Sequence, residues 1–65
     1  MRGIVKRWVK SRGYGFIEPE EGGETILVHH RDLDLMSELR EGQKVEFELD
    51  TAPPRPRAIK VRQID

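Results

Sequence analysis

The stretch Lys10-Ser11-Arg12-Gly13-Tyr14-Gly15-Phe16-Ile17-Glu18 alternates aromatic residues with glycines and carries basic residues at its start. In a β-strand, successive side chains point to opposite faces, so Tyr14 and Phe16 share one face while Gly15 and Ile17 share the other. A glycine inside a strand leaves room for another part of the backbone to approach closely. The pattern therefore predicts a strand that carries two neighbouring rings on one face.

Two interpretations of this ringed face are open. Single-stranded nucleic acid needs positive charge for its phosphates and flat apolar partners for its unstacked bases, and this strand offers cations and rings together. Alternatively, the rings belong to the hydrophobic core, as aromatic residues in strands often do. The flanking Lys10 and Arg12 and the empty inward position at Gly15 favour the binding interpretation.

The composition limits the fold and its surroundings. The chain has 65 residues, of which 35% are hydrophobic and 37% charged, and it contains no cysteine. We expect a single domain over residues 1–65 with a small core and short loops. The lack of cysteine excludes disulfides and thiolate zinc sites and favours a reducing, cytoplasmic setting. No apolar run has membrane-spanning length and no hydrophobic signal segment opens the chain, so we expect a soluble protein without a membrane partner.

Charge is balanced overall but segregated along the chain. The formal net charge is +0, which argues against binding nucleic acid over the whole surface. Four cations gather near the N-terminus, at Lys6, Arg7, Lys10 and Arg12. Four carboxylates gather in and before the next turn, at Glu18, Glu20, Glu21 and Glu24. A binding face, if present, must therefore rest on local charge.

Apolar alternation and turn residues predict five strands, over residues 3–9, 14–18, 25–30, 44–49 and 58–64. In the third strand, Ile26, Val28 and His30 are expected on one face, with Leu27 and His29 on the other. The fourth strand should point Val45, Phe47 and Leu49 inward, and the fifth should point Ile59 and Val61 inward. The leucines of residues 31–40 are expected to close the bottom of the core.

Five short strands without a long helix indicate an all-β fold. A five-stranded antiparallel barrel is the architecture we predict, because closure removes the exposed strand edges through which so short an all-β chain would aggregate.

Three segments of the chain resemble the cold-shock domain in order and spacing, and the resemblance covers nearly the whole sequence. They are Arg12-Gly13-Tyr14-Gly15-Phe16-Ile17, Ile26-Leu27-Val28-His29-His30 and Glu41-Gly42-Gln43-Lys44-Val45. The resemblance implies an OB-fold barrel whose second and third strands carry two ribonucleoprotein-type motifs. Such domains bind single-stranded RNA and DNA with little sequence preference and act as nucleic-acid chaperones. Residues at the family's binding positions are Lys6, Arg12, Tyr14, Phe16 and His29, and Pro56 matches a proline common in the last loop.

The chain also departs from the family pattern. The family usually has phenylalanine where this chain has Leu27 and His30, so we expect weaker stacking. In the first strand, an ungapped comparison puts Arg7 at the position of the family's surface tryptophan. The alternative keeps Trp8 at that position and requires a shorter turn and a bulge. In either case Trp8 is expected to border the binding face.

Other functions fit the sequence less well. His29 and His30 are neighbours on a strand and point in opposite directions, and no third ligand is evident, so we predict no metal site. Ser11 and Ser37 lack a catalytic arrangement, and we predict neither an enzyme nor a cofactor or small-molecule substrate. Residues 53–57 contain a P-x-x-P pattern that could bind an SH3-type partner, although a stiffened loop explains it better.

We therefore predict a monomeric, cytoplasmic protein that binds single-stranded RNA and DNA. Two alternatives stay open: a ribosome- or polymerase-associated barrel of the same fold, and a protein-interaction module that uses the proline loop. The predicted nucleic-acid-binding residues are Lys6, Arg7, Trp8, Lys10, Arg12, Tyr14, Phe16, Leu27, His29, His30, Arg55 and Arg57.

Overall fold

Five β-strands form a closed barrel in the computed structural model, which describes residues 1–52 and 55–64. They are β1 (Arg2–Val9), β2 (Tyr14–Pro19), β3 (Ile26–His29), β4 (Lys44–Asp50) and β5 (Arg57–Gln63), and they lie in the order β1-β2-β3-β5-β4 around the barrel. The all-β class and the five predicted strands are confirmed. Pro53, the first proline of the P-x-x-P pattern, and its neighbour Pro54 lie outside the described residues.

The barrel contains one parallel strand pair, whereas the sequence predicts an antiparallel barrel. Four neighbouring strand pairs are antiparallel, whereas β3 and β5 pair in parallel through Leu27 with Arg57 and Val28 with Ala58. The reason is topological: strand direction cannot alternate all the way around a closed ring with an odd number of strands. The β3–β5 pair closes the ring.

The core fills the barrel with aliphatic side chains and one aromatic ring. The buried hydrophobic residues that form the core are Val5, Ile17, Ile26, Val28, Leu39, Val45, Phe47, Ala58 and Val61. Trp8, Leu33 and Met36 pack against this core with part of their surface exposed. The predicted inward positions of Val45, Phe47 and Val61 are confirmed.

A bulge in β1 changes which residues point outward. Val5 is paired with Ile17, but Arg7 is paired with Phe16 and Trp8 with Gly15, so Lys6 is an extra residue in β1. An extra residue reverses the alternation of the strand beyond it. Arg7 consequently shares the outer face with Phe16, whereas Trp8 turns toward the core opposite Gly15.

A second irregularity, in β5, corrects the prediction for Ile59. Glu46 is paired with Arg62 but Glu48 with Ile59, so Lys60 and Val61 together lie opposite Phe47. Lys60 adopts a positive φ of 51°. The inward residues of β5 are therefore Ala58 and Val61, three positions apart, and Ile59 is only half-buried.

The inward prediction for Leu49 and the face predicted for His30 are also wrong. Leu49 pairs with Ala58 near the end of β4, at the rim of the barrel. As a result, 38% of its surface is exposed. His30 does not continue β3 beside Val28, because the backbone turns there into a short 3-10 helix, His30–Asp32. His30 is exposed, and its backbone N–H donates to the carbonyl of Gly13 at 2.8 Å.

The connection before β4 closes the core as expected, with one exception. Leu39 is buried, and Leu33 packs against the core, where it forms an isolated bridge with Val61. Leu35 instead is 97% exposed and has a φ of 63°. In the part of the chain that the structure describes, no helix has the length and apolar character needed to cross a membrane.

Candidate nucleic-acid interface

Outward side chains of β1, β2 and β3 form two rows across the strands. The first row is Arg7, Phe16 and Leu27, which pair in register across β1, β2 and β3, and it continues to Arg57 on β5. The second row is Val9, Tyr14 and His29. Side chains directly opposite each other in neighbouring strands lie in contact distance. The fold therefore assembles rings and cations from four strands on one surface, which we call the ring face.

Tyr14 and Phe16 lie edge to face at the centre of the ring face. Their ring centroids are 6.1 Å apart and their planes meet at 82°. Both residues are half-buried, whereas the fully buried positions of β2 are Gly15, Ile17 and Pro19. The half-exposed rings thus have surface available to bases, which supports the binding interpretation over the core interpretation.

Gly15 allows β1 and β2 to approach closely behind these rings. A Cβ at this position would overlap with the carbonyl oxygen of Arg7 and would lie 2.8 Å from the Trp8 indole. Any side chain here would separate the strands or displace the indole. The expected close backbone packing at Gly15 is confirmed, and it holds Arg7 next to Phe16.

His29 and His30 extend the ring face beyond Tyr14. Their ring centroids are 4.4 Å apart, with a tilt of 36°. His29 Nδ1 accepts a hydrogen bond from the backbone N–H of Arg31 at 3.3 Å, which leaves the proton of the neutral ring on Nε2. The His30 ring lies against Gly13, whose φ of 70° and lack of a side chain make this contact possible.

The environment of His29 disfavours its charged form. Partial burial is the main cause that lowers the pKa of His29 below its ordinary value of 6.5, and the neighbouring His30 and Arg31 lower it further. Asp32 opposes this shift, and Arg57 adds to it. The His29 ring is consequently neutral at neutral pH, a state in which it can stack as a flat aromatic surface.

Five of the six predicted cations fall into two groups, and the sixth, Arg55, lines a groove described below. Lys6 and Arg57 form ion pairs, Lys6 with Glu18 at 3.7 Å and Arg57 with Asp50 at 3.5 Å. Within residues 1–52 and 55–64, the exposed side chains of Arg7, Lys10 and Arg12 form no ion pair. Arg7 lies on the ring face itself, and the turn after β1 carries Lys10 and Arg12.

Trp8 does not lie in either row. It is half-buried against the core, and its indole nitrogen is buried without a hydrogen-bond partner among the described residues. Its position opposite Gly15 agrees with the comparison that puts Arg7, and not Trp8, at the outward position of β1.

A groove adjoins the ring face next to the end of β4 and the residues that precede β5. It is lined by Phe16 and Leu27, by Leu49, and by Arg55 and Pro56, with Glu24, Thr25 and Ile26 at the β3 end. The structure thus brings the predicted Arg55 beside the ring face. Sequence reasoning missed Leu49, because its alternation with Val45 and Phe47 is that of a core residue and contains no signal of its exposure.

No group of three or more His, Asp or Glu side chains in residues 1–52 and 55–64 is arranged to hold a metal ion. The ring face combines rings, apolar surface and cations, a combination that suits noncovalent contact with bases and phosphates.

Comparison with known proteins agrees with this geometry. The sequence profile of the 'Cold-shock' DNA-binding domain family matches residues 1–64. The chain is 40% identical to a probable cold shock protein A of Mycolicibacterium smegmatis over 65 residues, which cover 97% of each chain. It is 42% identical to a cold shock-like protein of Stigmatella aurantiaca, with 95% of this chain and 94% of the relative covered. A cold shock-like protein of Escherichia coli is 38% identical, with 94% and 91% covered.

Proposed function

This chain belongs to the cold-shock domain family of nucleic-acid-binding proteins, and we propose that it binds single-stranded RNA and DNA through the ring face as a nucleic-acid chaperone. Bases stack on Tyr14, Phe16 and His29, and phosphates contact the surrounding cations. No covalent step is needed, because a bound single strand cannot pair with a complementary strand. The proposal includes action as a monomer in the cytoplasm.

The observation that carries this proposal is the register of β1, β2 and β3. It puts Arg7 beside Phe16 and Tyr14 beside His29, so that each ring has an outward neighbour that suits a nucleotide. Stacking on an aromatic ring tolerates any base, because every base has a π-face. Leu27 replaces a ring in the first row, so contact should be weak as well as tolerant of sequence.

Fluorescence anisotropy with a labelled pyrimidine oligonucleotide of about eight residues, within the range of such folds, tests the proposal. We expect affinity to fall as salt rises, with a log-log slope of roughly −2 to −3 if three or four cations each neutralise a phosphate. Phe16→Ala should weaken binding by about fivefold or more, since each stacked base contributes about 1–3 kcal/mol.

Ile4→Ala is the matched control for this experiment. Ile4 is an apolar residue on β1 with 45% of its surface exposed, and its neighbours across the strands are Glu18 and Lys44, outside both rows. Its truncation should leave affinity unchanged. Absence of binding to single strands, or binding that salt does not weaken, would refute the proposed function.

A further inference from the structure

Two of the cations proposed to contact phosphates, Lys6 and Arg57, already form ion pairs with carboxylates of the protein. Lys6 Nζ lies 3.7 Å from Glu18 Oε2, and Arg57 Nε lies 3.5 Å from Asp50 Oδ2. All four side chains keep a substantial exposed fraction, between 31% for Asp50 and 62% for Lys6. A ligand can therefore reach both ion pairs from solvent.

The two ion pairs lie on opposite flanks of the ring face. Lys6 lines a depression together with Arg7 and Phe16, on the β1 side. Arg57 lines another depression with Leu27 and His29, on the β5 side. Any polyanion that extends over the rings from either side meets a cation that already has a carboxylate partner.

Resting on the proposed function, we infer that Glu18 and Asp50 are specificity-determining residues that favour single strands over duplexes. Each carboxylate occupies a cation that a phosphate would otherwise contact, and it also repels the phosphate directly. Every polyanion meets this obstacle. Affinity then depends on the other contacts that the ligand makes with the ring face.

A single strand and a duplex differ in this second contribution. The unstacked bases of a single strand gain stacking on Tyr14, Phe16 and His29, which offsets the loss of phosphate contacts. The bases of a duplex are stacked inside the helix, so its binding depends on phosphate contacts and the release of counterions. Neutralising Lys6 and Arg57 within the protein thus penalises the duplex most, because a duplex carries the denser charge.

The chain provides a matched control for this inference. Glu48 and Lys60 form an ion pair of the same kind, with Nζ and Oε2 3.8 Å apart and both side chains well exposed. They line a depression with Met1, Phe47 and Arg62, which contains no residue of the ring face. Glu48→Gln therefore makes the same change in net charge as Glu18→Gln, but away from the rings.

The experiment measures affinity by anisotropy for two labelled DNA probes, an oligothymidine of about eight residues and a blunt-ended duplex of two strands without unpaired bases. Glu18→Gln and Asp50→Asn should each tighten binding of the duplex by about two- to fivefold at low salt, the range expected of an exposed ion pair. The ratio of duplex to single-strand dissociation constants should fall in both variants. The salt slope for the duplex should steepen by about 0.9 for each cation that is released.

Glu48→Gln should change neither the ratio nor the slope. If Glu18→Gln and Asp50→Asn also left the ratio and the slope unchanged, the inference would be wrong. If Glu48→Gln lowered the ratio as much as they do, net charge alone would explain the effect and the inference would again be wrong. It would also be wrong if duplex and single-strand affinities rose by the same factor. Both results differ from failure of the proposed function, in which the unaltered protein would not bind the oligothymidine at all. Melting curves of the three variants should coincide with that of the unaltered protein, because exposed ion pairs contribute little to folding.

Discussion

Phe16 on β2 lies directly opposite Leu27 on β3, so an aromatic and an aliphatic side chain share the centre of the ring face. Both are half-buried, and the cations Arg7 and Arg57 continue the row on either side. Leu27 should contribute least to the binding of a base, because a leucine has no flat surface on which a base can stack.

Leu27→Phe should therefore tighten binding of a single-stranded oligonucleotide by about tenfold, since one recovered stacking contact of about 1.4 kcal/mol gives that factor. A ring adds no phosphate contact, so the salt plot should shift upward without a change in slope. Anisotropy titrations at several salt concentrations measure both quantities. Equal affinities for a folded Leu27→Phe variant and the unaltered protein would remove Leu27 from the binding surface.

Phe47→Ala and Tyr14→Ala should differ strongly in their effect on stability. Phe47 is 2% exposed in the core, and its truncation should lower the free energy of unfolding by about 3–5 kcal/mol. Tyr14 is only half-buried, so its truncation should cost clearly less. Urea denaturation followed by circular dichroism provides the comparison, and similar losses in both variants would mean that Tyr14 is part of the core.

Leu35→Asn should stabilise the protein by roughly 0.5–1 kcal/mol, because asparagine tolerates the left-handed conformation in which leucine is strained. Leu35 has a φ of 63° and is 97% exposed, so the change removes almost no packing. Thermal unfolding measures the gain. Ser37→Asn, at an exposed position of the same loop without a positive φ, is the control and should not raise the melting temperature.

Acidification should destabilise the fold through His29. The pKa of His29 is lowered in the folded state by partial burial and by His30, whereas in the unfolded state it keeps its ordinary value of 6.5. As pH falls through 6.5, the unfolded chain takes up the proton first, so the stability that the neutral ring provides above this pH is lost between 6.5 and the lower folded value. Urea midpoints between pH 7.5 and pH 5 should fall less in His29→Gln than in the unaltered protein. An unchanged pH dependence in that variant would exclude His29 as the cause.

The same titration should affect binding in the opposite direction. A phosphate beside His29 stabilises the protonated ring and raises its pKa, so binding takes up protons and oligonucleotide affinity should increase as pH falls below 7. Anisotropy at the same pH values measures this effect, and His29→Gln should reduce it.

The amino-acid sequence by itself determined the strands and the family. Alternation of small and aromatic residues around Gly15 predicted β2 and its two faces, and the spacing of Val45 and Phe47 predicted the inward face of β4. These patterns are local, because side chains in a strand alternate whatever lies beside them. Each predicted strand end lies within one residue of the observed one. The same local alternation predicted that Tyr14 and Phe16 share one face near the cations.

Only the tertiary structure decided which of these residues act together. The bulge at Lys6 turned Arg7 outward and Trp8 inward, and the irregularity at Lys60 moved the core position from Ile59 to Ala58. An extra residue puts the two parts of a strand on either side of it out of phase with each other. Its place depends on the partner strand, which the local pattern does not contain. Ion pairs such as Lys6 with Glu18 and Arg57 with Asp50 likewise join separate strands. Their formation depends on strand register, and closure of the barrel determines which strands become neighbours.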